Sequence, residues 1–222
     1  MKIIGIAIGD IETVSYRGKN VKTGIYKQPL KGPVRVGPEG LEGDHQVDLK
    51  NHGGIDKAIY AYSLENLSFW AETRRDGPYL PGHVGENLTI QGLNDHDVAI
   101  GDRFRVGETL MEVTQPRVPC FKLGIRMQDH RFVETFLNSG RTGFYLRVIQ
   151  PGIIQGGDVF EKTFEDPRAV SIPNAMKALL KGPDQLHWIQ RVLDVPALSA
   201  AWREDLEARA LKFVPEGHSH ET

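Results

Sequence analysis

Short β-branched stretches, broken every few residues by glycine or proline, fill residues 1 to about 165 and permit few folds. "KIIGIAIG" is apolar and β-branched, and "KTGIYKQPL" alternates over a short range. "DVAIGDRFRVGETLMEVTQP" reads as strand, turn, strand, with "VGET" as the turn. "GFYLRVIQPGIIQGGDVFEKTF" repeats the pattern, broken at "QPGI" and "GG". Most of the 24 glycines and 13 prolines fall in this region, a spacing that suits a barrel or sandwich. Two helical patterns interrupt it. "SLENLSFWAETRR" (63–75) has Ser63 as N-cap and Leu64, Leu67 and Ala71 on one face. "DHRFVETFLNSG" (129–140) has Asp129 as N-cap, Phe132, Val133 and Phe136 as its apolar face, and Gly140 as its stop.

After residue 168 the pattern changes. "PNAMKALLKG", "DQLHWIQRVLD" and "SAAWREDLEARALK" are three short helices, with Asp184 and Ser199 as caps. Helices this short need a surface to pack on, and Trp188 and Trp202 are the expected anchors. The expected division is a β domain over 1–167, a three-helix segment over 168–215 and a flexible tail over 216–222. The fold class expected is mainly β with helices.

Composition narrows the partners. A formal net charge of −2 gives no electrostatic case for nucleic acid or a membrane surface as a bulk partner. No stretch approaches the roughly 18 apolar residues of a membrane helix. The apolar run in "MKIIGIAIGD" is too short for a signal peptide. One cysteine excludes an internal disulfide and suits a reducing compartment, so the cytoplasm is the expected address.

That cysteine, Cys120, stands in "QPRVPCFKLG" between Arg117 and Lys122 and after Pro119. "CFKLGIR" can form a helical turn, which would set the thiol at the positive end of the turn. A thiolate there would serve as nucleophile, redox sensor or soft metal ligand; a cysteine packed as a small hydrophobe is the plainer alternative. "LEGDHQVDLKNHGGIDKAIYAYS" (41–63) gathers His45, His52 and Asp56 among glycines, and Gly53-Gly54 permits a turn whose N–H groups meet an anion. The alternative is a solvated polar loop, and the spacing matches no zinc site. "NVKTGIYKQP" (20–29) offers Lys22 and Thr23 for an oxyanion or phosphate but lacks a P-loop's glycine run. "GHVGENLTIQGL" (82–93) places Asn87 where it could read a ring amide or cap a turn. Cys120, His52 and Asp56 supply the residue types of a cysteine hydrolase, but in no order that matches one.

The ordered set "VKTGI" (21–25), "GLEGD" (40–44), "HGGIDKAIYAY" (52–62), "GENLTIQGL" (85–93), "IGDRFRVGETLMEVTQPRVPC" (100–120) and "GFYLRVIQPG" (143–152) resembles the MOSC domain, the β-barrel at the C-terminus of molybdenum-cofactor sulfurases, in its stand-alone YiiM-like branch. The resemblance covers about 130 residues, and the segment after 168 looks like the three-helix tail of that branch. It implies a closed or nearly closed barrel with a cleft for the molybdenum cofactor (molybdopterin). It implies further that Cys120 ligates molybdenum, that Lys22 and Thr23 contact the cofactor phosphate, and that Asn87 and Arg117 contact the cofactor. His45 stands where mitochondrial relatives place an arginine. Gly53 and Gly54 are carried with the cofactor-binding set, and His52 and Asp56 as proton donors to a leaving hydroxyl. The activity implied is reduction of small N-hydroxylated compounds such as hydroxylaminopurine bases. No flavin or nicotinamide fingerprint is present and one cysteine cannot hold an iron–sulfur cluster, so an electron-donating reductase is the expected partner. Two rivals remain: a carrier of the cofactor or of sulfur without turnover of its own, and a pyridoxal phosphate pocket in which Lys22 forms a Schiff base.

Overall fold

A computed structural model describes residues 1–47 and 53–213. Its strands are β1 (Lys2–Ile8), β2 (Glu12–Tyr16), β3 (Lys19–Thr23), β4 (Gln28–Leu30), β5 (Val34–Gly37), β6 (Gly40–Leu41), β7 (Ile59–Ser63), β8 (Leu88–Gln91), β9 (Arg103–Val106), β10 (Thr109–Pro116), β11 (Phe144–Gln150), β12 (Gly152–Ile154) and β13 (Phe160–Phe164). Its α-helices are α1 (Leu64–Arg74), α2 (Phe121–Arg126), α3 (Phe132–Asn138), α4 (Ile172–Met176), α5 (Gln185–Leu193) and α6 (Ala200–Ala210).

Eight strands form one sheet in the order β13-β9-β10-β11-β7-β8-β1-β4. Every pair is antiparallel except β7–β8, whose parallel register needs the crossover that α1 supplies. β12-β5-β6 and the β2–β3 hairpin form small sheets of their own.

β7 is buried on both faces, and its period of two divides the interior. Ile59 and Ala61 join the main core, which Ile3, Leu88, Phe104, Phe144 and Phe160 fill. Tyr60 and Tyr62 face the other way, into an aromatic cluster with Trp70, Phe132 and Phe136. That second cluster seats α1, α2 and α3 and, through α2, the segment that carries Cys120.

Two expectations are corrected. The fold is mixed α/β rather than mainly β: six α-helices lie among the described residues, three of them before residue 168. The sheet also does not close into a barrel. β1 pairs with β8 on one side, and its C-terminal half, Ile6–Ile8, pairs with β4 on the other. Only the first residues of β1 remain to meet the chain at the start of β13, through an isolated bridge from Lys2 to Val159 and three backbone bonds, Ile3 N–Asp158 O at 3.0 Å, Gly157 N–Ile3 O at 2.8 Å and Phe160 N–Met1 O at 2.9 Å, so the seam is held by a few bonds and not by a paired strand.

The helices after residue 168 share the main core. Ile172, Met176, Ile189, Val192, Trp202 and Leu206 belong to the same cluster as the sheet residues. Polar groups stitch the join: the buried Ser199 Oγ donates to Gln115 Oε1 at 2.6 Å, and the half-buried Arg147 Nη2 donates to the Ala197 carbonyl at 2.6 Å. Trp202 is buried, whereas Trp188 is only half-buried and lies under the Lys177 ammonium. Residues 216–222, expected as a tail, lie outside the described residues.

Candidate functional site

At one end of the sheet a cleft enclosing about 110 Å³ opens between the root of the β2–β3 hairpin, residues 44–47, residues 84–87 and the segment 117–122. Its charged lining is lopsided. Lys27, Lys57, Arg117 and Lys122 face a single carboxylate, Asp44. Thr23, His45, Asn87 and Cys120 also line it. Five of the sequence-selected residues, Thr23, His45, Asn87, Arg117 and Cys120, scattered over about a hundred positions, therefore meet at one place.

Arg117 follows β10, whose last residues are fully buried, and its backbone N–H donates to the Gly143 carbonyl at 3.0 Å. The backbone thereby turns the side chain inward. The guanidinium carbon lies 5.2 Å from the ring centres of both Tyr60 and Phe136, a cation held between two π faces. Only 5% of the residue is exposed. Its Nη2 reaches the Val84 carbonyl at a long 3.4 Å, and its Nη1 is buried without a hydrogen-bond partner. Burial opposes its charge, but the Tyr60, Tyr145 and Cys120 side chains outweigh that and hold it protonated. A buried, charged donor with an unused N–H is costly unless a ligand supplies the acceptor.

Cys120 caps α2 as the sequence suggests and is half-exposed at the cleft, not walled into the core. Tyr145 stands beside it and beside Arg117; burial keeps its phenol neutral by raising its pKa. Among the described residues no group of three His, Cys, Asp or Glu is arranged to hold a metal, so a metal here would take Cys120 as a lone protein ligand.

The hub beneath the cleft is Asp44. Its Oδ1 accepts from the Gly9 N–H at 2.9 Å and pairs with the Lys27 ammonium, and its Oδ2 accepts from Asn87 Nδ2 at 2.8 Å. Burial drives the Lys27 pKa down, with Asp44 opposing it. Asn87 is consumed by the same network: its Nδ2 also donates to the Ala7 carbonyl at 3.2 Å, and its Oδ1 accepts from Tyr60 N–H at 3.0 Å. Asn87 thus binds four segments of the protein together and has no polar atom left over for a ring amide. Below it, Glu86 is fully buried and accepts from Gly82 N–H, Val84 N–H and Thr89 Oγ1 at 2.8–3.0 Å, which shapes the 82–87 loop.

Strand alternation separates Lys22 from Thr23. Thr23 is 1% exposed, and its Oγ1 accepts from Ile25 N–H at 3.2 Å. Lys22 lies on the outer, solvent-facing side of the hairpin and does not line the cleft. Asp56 is also elsewhere. The 3₁₀ turn at Ile55–Lys57 sends Lys57 inward and Asp56 outward, to pair with Arg147 at 3.3 Å and accept from Ala200 N–H at 2.9 Å. Gly54 N–H is taken by Gln46 Oε1 at 2.9 Å, so this N–H braces the 44–47 wall and is not offered to an anion. His45 is exposed at the wall, 3.3 Å from Asp10. His52 lies outside the described residues.

Sequence reading missed Lys27, Lys57, Tyr60 and Tyr145. The two tyrosines sit in strand patterns that read as core, and nothing local marks Lys27, whose partner is 17 residues away. Asp44 was visible in "GLEGD" but carried no sign that it would be buried.

The chain's residues 48–161 match the family model of the MOSC domain. YflK of Bacillus subtilis is 36% identical over 213 residues, 96% of each chain. A reductase of Gibberella moniliformis is 35% identical over 144 residues, 64% of this chain and 26% of that one. The crystal structure of YiiM from Geobacillus stearothermophilus superposes with a TM-score of 0.79 at 33% identity, over 94% of this chain and 98% of that one.

Proposed function

The chain belongs to the MOSC domain family, and from that premise we propose that its cleft binds the molybdenum cofactor and that the protein reduces small N-hydroxylated compounds, hydroxylaminopurine bases among them. The observation that carries the reading is the buried Arg117 Nη1, unpaired in a cationic cleft that also presents the chain's only thiol.

The residues fit the group in charge and in donor type. A phosphate-bearing ligand matches four cations facing one carboxylate. A cysteine sulfur is the soft donor that a high-valent metal accepts. The enclosed 110 Å³ is below the roughly 300–1,000 Å³ of common small-molecule clefts, so a ligand of that size would rest only one end inside. When bound, the cofactor supplies a two-electron couple. Cys120 would be its protein ligand, and Arg117, Lys57 and Lys122 would hold its anionic groups. Thr23 and the Asp44–Asn87 network would keep the walls in place.

The overall change is R–NH–OH + 2 e⁻ + 2 H⁺ → R–NH₂ + H₂O: the N–O bond breaks, nitrogen takes a proton, and the hydroxyl leaves as water. The electrons come from a separate reductase. The Gibberella relative's name, a reductase, favours the same class of chemistry.

Protein made in a cofactor-producing host should contain molybdenum and reduce 6-N-hydroxylaminopurine with dithionite-reduced methyl viologen as donor. Cys120→Ala should lose turnover while remaining folded. Absence of molybdenum from the wild-type protein, or equal turnover in Cys120→Ala, would overturn the reading. Cofactor passed to an apo-acceptor without turnover would make the protein a carrier.

A further inference from the structure

We propose that the tip of the β2–β3 hairpin, together with Phe121, is a docking surface for an electron-carrier protein with an acidic face; the inference rests on the redox reading above. From Ser15 to Lys22 the sequence "SYRGKNVK" carries Arg17, Lys19 and Lys22 and no acid, in a chain whose formal net charge is −2. The three cations are exposed. Among the described residues the hairpin pairs with no other strand.

What places this arm beside the cleft is an aromatic contact. Tyr16, next to the hairpin turn, stacks on Phe121 with ring centres 5.5 Å apart and planes at 29°. Phe121 directly follows Cys120 and is 45% exposed, though it does not line the cleft. The Arg17 guanidinium lies over the Tyr16 ring, 5.3 Å from its centre. The result is an aromatic centre rimmed by cations, one residue from the proposed metal ligand. Exposed aromatics with arginine are the composition of protein interface centres, and a one-sign charged rim steers an oppositely charged partner to the encounter. A substrate would enter the cleft, but these residues lie outside it. A protein that must hand over electrons needs to sit at the mouth without filling it.

The partner class is a reduced carrier with an acidic surface, which gives up the two electrons consumed by each N–O cleavage and is itself oxidised. The test uses an acidic flavodoxin-type FMN protein as probe. Binding to the full-length chain should weaken as salt rises from 20 to 200 mM, because the contacts are exposed. The double variant Arg17→Asn/Lys19→Glu should weaken binding tenfold or more at low salt; asparagine suits the positive φ of 49° at position 17. The charge-conserving variant Lys19→Arg should keep wild-type affinity. The variant's unfolding midpoint and its turnover with methyl viologen should be unchanged, and only turnover driven by the FMN protein should fall. No binding, or binding indifferent to salt and to the double variant, would overturn the docking surface. Binding is read without turnover, so a chain that binds the probe but never reduces substrate would sink the activity reading and leave the surface standing.

Discussion

Arg117 and Asp44 are both charged and both buried, yet their removal is expected to have opposite consequences. Asp44 satisfies three donors, one of them the buried Lys27 ammonium. Asp44→Ala leaves that ammonium without its counter-charge, and breaking such a pair costs about 3–5 kcal/mol; urea unfolding should show the loss. Arg117 answers no buried counter-charge: it has one long bond to the Val84 carbonyl, two ring contacts and an Nη1 without a hydrogen-bond partner. Arg117→Met should leave the unfolding midpoint within a few degrees while molybdenum content falls at least tenfold. Two further groups titrate against each other. Asp95 is 4% exposed with an unpartnered Oδ1, and burial raises its pKa to about 6. Folding therefore favours its protonated form, and the stability this confers is present below the unfolded value near 3.8 and lost as pH rises through about 6. His83 is depressed to about 4, chiefly by burial, and acts in the reverse direction: its contribution is lost as pH falls from 6.5 toward 4. The raw pH curve is thus flattened between them, and the informative comparison is wild type against Asp95→Asn. The variant should be more stable at pH 7, and its advantage should vanish near pH 4. At this scale, the cationic setting of Cys120 was legible because its neighbours adjoin it in the chain. The outward turn of Lys22 was legible in principle too, since a strand cannot face two successive residues inward.

At the scale of the element, the hairpin root and the 44–47 wall touch through their backbones. A Cβ on Gly24 would lie 2.5 Å from the His45 carbonyl oxygen, which no side-chain motion relieves. Gly24→Ala should displace the wall that carries Asp44 and His45, so cofactor content should fall sharply even where circular dichroism is unchanged. The same close approach explains why "KTGIYKQPL" is not one strand. β3 ends at Thr23 and β4 begins at Gln28, because the chain between them bends to bring Gly24 under His45 and Lys27 onto Asp44. α1 emerges where its pattern put it, with Ser63 Oγ accepting from Asn66 N–H as its cap. α3 starts at Phe132, two residues later than Asp129 as N-cap suggests. Asp129 instead accepts from Arg131 N–H at 3.0 Å and pairs with Arg74 at 3.2 Å, a long-range partner that competes with the capping role.

The whole molecule is held together by contacts between its first 167 residues and the helices after them. Asp56 is one such tie. Asp56→Asn weakens both the Arg147 pair and the Ala200 bond, and a cost near 1 kcal/mol should lower the melting midpoint by about 2–4 °C in a chain of this size. Turnover should be retained; a fall in kcat at unchanged midpoint would restore Asp56 to the chemistry. Ending the chain before residue 168 removes Ser199, which bonds the buried Gln115 Oε1 and the Thr114 carbonyl, and uncovers the part of β10 that α4 contacts. Such a fragment should bind a hydrophobic dye and lack a cooperative unfolding transition.

Periodicity, caps and glycine spacing are local signals, written within a few residues of where they act. They suffice for the β-rich body, for α1, for the three late helices and for the ordered motifs that mark the family. The cleft is built differently. Gly9, Lys27 and Asn87 converge on the Asp44 carboxylate from three other segments, and Arg117 owes its burial to Tyr60 and Phe136, more than fifty residues upstream and nineteen downstream. Burial and pairing are properties of what surrounds a side chain in space, and no local pattern carries them until the chain has closed on itself.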